Sequence, residues 1–126
     1  MRPRLGVFEP NADVIIDEEL AAVVVAVEVA GADPASLRVE AGDRSLTISG
    51  IRSETVRIRR GSFIQKEISY GPFAKRVHLP VAVDLLGDAQ ATYADGVLII
   101  TLPIASPAYV PATRTEIRMI VKRTLS

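Results

Sequence analysis

The chain has 126 residues, 15 Lys plus Arg against 15 Asp plus Glu, a formal net charge of zero and 48% apolar residues. That length suits one domain with a core and is too short for two, and the balanced charge leaves no electrostatic case for binding nucleic acid or an anionic membrane. With no Cys and a single His, there is no basis for a disulfide framework, a thiolate metal site or a histidine metal cluster, and a reducing compartment fits.

Residues 1–11 carry two prolines and no periodicity, and read as a short flexible arm with Phe8 as its one anchor. Met1-Arg2-Pro3-Arg4 is not followed by the apolar core of a signal peptide. The apolar run Leu20–Val27 falls well short of the roughly 20 residues that a spanning helix needs. A soluble, cytoplasmic protein without membrane partners is expected. Ala12–Ile16 is a β-branched run, closed by the acidic turn Asp17-Glu18-Glu19. In Ala21–Val29, Val23, Val25, Val27 and Val29 share one face, and so much valine favours strand over helix. Gly31–Ser36 is a turn broken by Asp33-Pro34.

Leu37–Ala41 alternates, with Leu37, Val39 and Ala41 inward, and after Gly42-Asp43-Arg44 the alternation resumes through Leu46 and Ile48. Those two runs make a hairpin. Ile51–Gly71 is too long for a tight turn and holds Arg57, Arg59 and Arg60, which alternate with Val56 and Ile58 and read as a solvated face rather than a phosphate-binding strip. A further β-prone piece lies at Ser62–Ile68. Phe73–Leu79 alternates again, but slips near Ala74–Arg76, which suggests a bulge. Val81–Gly87 crosses over to Ala89–Pro103, where Asp95-Gly96 joins two β-prone runs, the strongest short-range hairpin signal. Val97–Leu102 is apolar on both faces except at Thr101, as befits a central strand. Beyond Pro103, a proline-bearing tail ends in the apolar-basic segment Thr115–Val121, which needs a surface to dock on. Seven or eight short strands with turns every 8–12 residues predict an all-β sandwich.

Several spaced motifs carry a family resemblance over Phe8–Pro103: Phe8-Glu9-Pro10 with Asp13-Val14, Ala30-Gly31, Leu46-Thr47-Ile48-Ser49-Gly50, Glu67 with Tyr70-Gly71-Pro72-Phe73, Leu79-Pro80 with Val83-Asp84, and Ala89–Pro103. In these the chain resembles the α-crystallin domain of small heat-shock proteins. The resemblance implies an immunoglobulin-like β-sandwich of 7–8 strands at 12–103, an arm at 1–11 and a C-terminal extension at 104–126. It implies dimers and larger homo-oligomers, and holding of non-native client proteins without ATP or any cofactor. It also implies a strand exchanged into the partner's sheet, matched here by Ser62, Phe63, Ile64, Gln65, Lys66, Glu67 and Ile68. The family's C-terminal Ile-x-Ile/Val motif, which docks in a groove of a neighbouring dimer, is matched by Ile117 and Met119, with Met119-Ile120-Val121 as the competing register. Leu37, Val39, Ala89 and Ala91 would line that groove. Phe8 is a candidate client contact. The arm is short for the family, Ala30-Gly31 replaces the usual Pro-Gly, and Lys75 stands where Arg is common; Lys lacks the bidentate fork of Arg.

No catalytic constellation emerges: there is no Gly-rich phosphate loop, nucleophile elbow or Glu-flanked pair of His. His78 reads as a surface residue, and Asp17, Glu18 and Glu19 as solubilising. The expectation is an ATP-independent chaperone and not an enzyme. A co-chaperone-like adaptor sandwich that binds one folded partner is the alternative. A carbohydrate-binding sandwich is disfavoured by six aromatic residues without Trp.

Overall fold

The computed structural model describes residues 7–56, 58–107 and 117–123. Seven strands form the body: β1 (Ala12–Asp17), β2 (Ala22–Glu28), β3 (Arg38–Ala41), β4 (Ser45–Arg52), β5 (Gly71–His78), β6 (Gln90–Ala94) and β7 (Val97–Pro103). The tail adds β8 (Ile117–Met119) and β9 (Val121–Arg123). Helical structure among the described residues is one 3-10 turn, Pro34–Ser36, whose first turn is capped by the Asp33 carboxylate accepting from the Ala35 amide at 3.0 Å. The strands fall into two sheets, ordered β1-β2-β7-β6-β9 and β5-β4-β3-β8.

The side of each strand that faces the other sheet follows the period of two in its sequence. Val23, Val25, Val27 and Val29 are buried, as are Leu37, Val39 and Ala41 across from them, then Leu46, Ile48, Phe73 and Val77. Leu98, Ile100 and Leu102 of β7 sit at the centre of their sheet, between β2 and β6. Tyr93 is the one core side chain with a polar tip, and its hydroxyl donates to the Val29 carbonyl at 2.9 Å. The β6–β7 turn uses Asp95 at φ 54° and Gly96 at φ 79°. Two positive φ values in succession mark the primed turn that matches strand twist.

The slip in alternation along β5 is not a bulge. Pairing with β4 runs unbroken from Ser45–His78 to Arg52–Gly71. Lys75 lies opposite the buried Ile48, on the same face as Phe73 and Val77. Being on the outermost strand, Lys75 can carry its ammonium to the sheet's rim, where Glu9 accepts at 2.8 Å. A charged residue with its stem inward thus looks like a missing apolar position in the sequence.

Gly50 on β4 is opposite Phe73, and a Cβ there would lie 2.6 Å from the Phe73 ring and 3.1 Å from Leu37. Both neighbours are buried. Gly50→Ala is therefore expected to lower stability by about 1–3 kcal/mol through overpacking, measured by urea denaturation. An unchanged midpoint would mean that the ring can retreat.

Candidate functional site

The two sheets each end on a strand that would leave backbone groups unpaired: β3 in one and β6 in the other. The tail covers both. Ile117–Met119 runs antiparallel to β3, with Met119 opposite Val39 and Ile117 opposite Ala41. Val121–Arg123 then runs parallel to β6, with Val121 opposite Ala91. The change of sheet occurs at Ile120, whose side chain is 83% exposed. Met119 and Val121, two residues apart, both pack on the core.

Leu37, Val39 and Ala91 are buried and Ala89 is half-buried against the core. The small side chain of Ala91 stands where Val121 pairs. Of the tail residues, Met119 contributes a packed side chain, while Ile117 pairs through its backbone and its side chain is outside the described set. Val121 is a further packed side chain among the described residues. Within this single chain the groove holds the chain's own tail, where the resemblance implied a neighbour's.

The long connection also leaves its edges unsatisfied. Strand pairing closes at Arg52–Gly71, and residues 53–70, Arg57 excepted, have no strand or helix. All seven residues from Ser62 to Ile68 are exposed, with Phe63 at 51% and Ile64 at 96%. Several contacts lie within the loop itself. Lys66 lies 3.8 Å from the Glu54 carboxylate and 4.8 Å from the ring centres of both Phe63 and Tyr70, and Gln65 donates to Glu67. Across the molecule, β1 is the outermost strand of its sheet and exposes Val14, Ile15 and Ile16. These consecutive residues point to both faces, so β1 overhangs the sandwich. That open edge was not singled out in the sequence, where a β-branched run does not tell an edge from a centre.

Phe8 is held rather than free. Its amide donates to the Pro72 carbonyl at 3.2 Å and its carbonyl accepts from Ala74 at 3.1 Å, adding one bridge to the rim of β5. Its ring lies 5.5 Å from that of Phe73. His78 is exposed at the end of β5. Among the described residues, no polar or charged residue is buried and no three His, Asp or Glu side chains converge as metal ligands. Nor is any helix long and apolar enough to cross a membrane.

A seven-stranded body, a groove between β3 and β6 filled by a tail, and a long loop between β4 and β5 form one pattern. The profile of the Hsp20/alpha crystallin family matches residues 15–119. The chain belongs to that family. Among solved structures, HSP18.5 from E. histolytica is 27% identical, with a TM-score of 0.67, over 86% of this chain and 100% of that one. Heat shock protein 16.0 from Schizosaccharomyces pombe is 25% identical, with a TM-score of 0.66, over 85% and 96%. A small heat-shock protein from Xylella fastidiosa, described as having a distinct high order structure, is 27% identical, with a TM-score of 0.63, over 83% and 96%. Comparison with curated protein sequences yields no match. Membership of the Hsp20/alpha crystallin family carries a general chaperone role and sets the groove and the loop in that context.

If Met119 and Val121 hold the tail of this Hsp20-family chain, the double variant Met119→Ala/Val121→Ala should weaken its attachment by about 1–2 kcal/mol, the scale of losing two half-buried apolar side chains. Apolar-dye fluorescence should rise as Val39 and Ala91 become accessible. Unchanged fluorescence would show that backbone pairing alone holds the tail.

Proposed function

We propose that the protein is an ATP-independent holdase, which binds partly unfolded proteins and prevents their aggregation, and that it works as a strand-exchanged homodimer within a larger homo-oligomer. One observation carries this reading: an exposed, strand-prone segment without a partner, Ser62–Ile68, coexists with an open apolar strand edge at β1. Each has unpaired backbone groups and apolar side chains in water, and pairing one copy's segment with another copy's edge satisfies both. Within one chain no strand pairing joins the two among the described residues.

Client holding follows from competition. Among the described residues the tail is fastened by the half-buried Met119 and Val121 and by short strand pairings, a small gain set against the ordering of its backbone. Warming loosens such contacts first, and the apolar groove then meets client surface instead. Phe8 takes part only after leaving Phe73. Repeated weak tail contacts around an oligomer raise effective concentration and keep the assembly together.

The alternative is a monomeric adaptor for one folded partner. It draws support from the loop's self-contacts, since Glu54, Val56, Ile58 and Phe63 surround one hollow. Mass decides between the two. Light scattering coupled to size exclusion should give a dimer or larger species, and deletion of residues 62–68 should reduce it to a monomer; a monomeric wild type would favour the adaptor. Deleting residues 113–126 should lower the mass of the assembly, and an unchanged mass would remove the tail's linking role. Without nucleotide, the protein should suppress thermal aggregation of a model enzyme at or below an equimolar ratio. Full aggregation at equimolar protein would overturn the holdase reading.

A further inference from the structure

Three segments distant in the sequence meet on one side chain at the root of the long loop. Arg52 is the last residue of β4 and pairs with Gly71, the first of β5, so it stands where the loop departs and returns. Its Nε donates to the Ser69 carbonyl at 2.8 Å, and its Nη1 to the Ala30 carbonyl at 3.4 Å. Its guanidinium carbon lies 4.6 Å from the centre of the Phe8 ring. The stem passes over the Gly31 turn, where an added Cβ would meet Arg52 Cδ at 3.6 Å.

The Phe8 backbone is bonded to β5 at Pro72 and Ala74, just beyond the loop root. Beside that attachment a cavity of ≈ 830 Å³ opens, with Val7, Phe8, Ile51, Arg52, Ile68 and Tyr70 among its lining. The Phe8 ring and the Ser69 carbonyl are joined across it by the guanidinium. A planar fork with five donors can face an aromatic ring and reach two carbonyls at once, which a single ammonium cannot do.

We propose that Arg52 is the positioning residue that couples the N-terminal arm to the long loop, so that the docking of Phe8 and the path of residues 53–70 out of the sandwich are set together. While Arg52 holds the Ser69 carbonyl, the part of the loop able to swing away is the part before it, including Ser62–Ile68. Displacement of the loop root withdraws a contact that orients the same guanidinium over Phe8, and the arm loosens. The Phe8 backbone bonds to Pro72 and Ala74, and the Lys75–Glu9 ion pair, keep the arm partly attached. In an exchanging dimer, strand exchange and arm release then become one linked equilibrium; this last step rests on the exchange reading above, whereas the coupling itself does not.

Amide hydrogen exchange on the full chain tests the coupling. Arg52→Lys retains a cation but loses the fork, and Arg52→Ala loses both. In each, the Phe8 amide, which donates to Pro72, and the Gly71 amide, which lies in the β4–β5 ladder, should exchange faster together, by about tenfold, the scale of losing one charge-assisted hydrogen bond. Phe8→Ala, which keeps the backbone bonds to Pro72 and Ala74, should also speed exchange at Gly71. A response confined to one of the two amides, or none at Gly71 in the Phe8 variant, would overturn the proposal. If Arg52→Ala unfolds, Arg52→Lys gives the same readout. A wild type that is monomeric by light scattering but shows the linked response would end the exchange reading and leave the coupling standing.

Discussion

Unpaired strand edges govern this molecule. A sheet's last strand has a row of backbone donors and acceptors that water satisfies only while they stay exposed, and any strand-like segment nearby competes for them. Two open sheets have four such edges, and the chain treats them in three ways. The edges of β3 and β6 are covered by one tail segment that changes sheet at Ile120. The edge of β5 receives a single bridge from Phe8. The edge of β1 is paired on its inner side only, and its apolar residues face water.

These covers have little independent stability, in contrast to the body. The interior between the sheets is filled by valine, leucine and isoleucine from β2, β3, β4, β5 and β7 and by Ala91 and Tyr93 of β6, with Phe73 and Gly50 fitted against each other. Such packing tolerates no loss of volume without cost. The tail, the arm and the loop rest on that core by a few half-buried side chains and short stretches of pairing. Segments of this kind open at free energies far below global unfolding. A rigid sandwich with loosely held covers is the arrangement on which the proposed nucleotide-independent holding of clients relies.

Much of the architecture was legible in the residues because the relevant physics is local. Alternation in Val23–Val29, Leu37–Ala41 and Leu46–Ile48 ties each side chain to one face of its strand, and Asp95-Gly96 supplies the backbone conformations that a tight hairpin needs. The centrality of β7 followed from its apolar character on both faces. Lys75 misled for an equally clear reason. Its inward stem and outward ammonium depend on its being at the rim, which no neighbouring residue reports.

Leu37, Val39 and Ala91 are legible as inward positions from alternation alone, whereas the way the tail crosses between the sheets is not. Met119 and Val121 pack because their spacing matches the distance between two edges contributed by separate sheets, a quantity absent from the tail's own sequence. Arg52 carried no signal at all, since an arginine ending a β-run reads as surface charge until Phe8, Ala30 and Ser69 are brought to it. By itself the sequence determined which residues form strands and which face of each is buried, because both arise from backbone conformation and a two-residue period. Only the tertiary structure decided which edges are covered, by what and how firmly, because an edge is a property of a strand's neighbours.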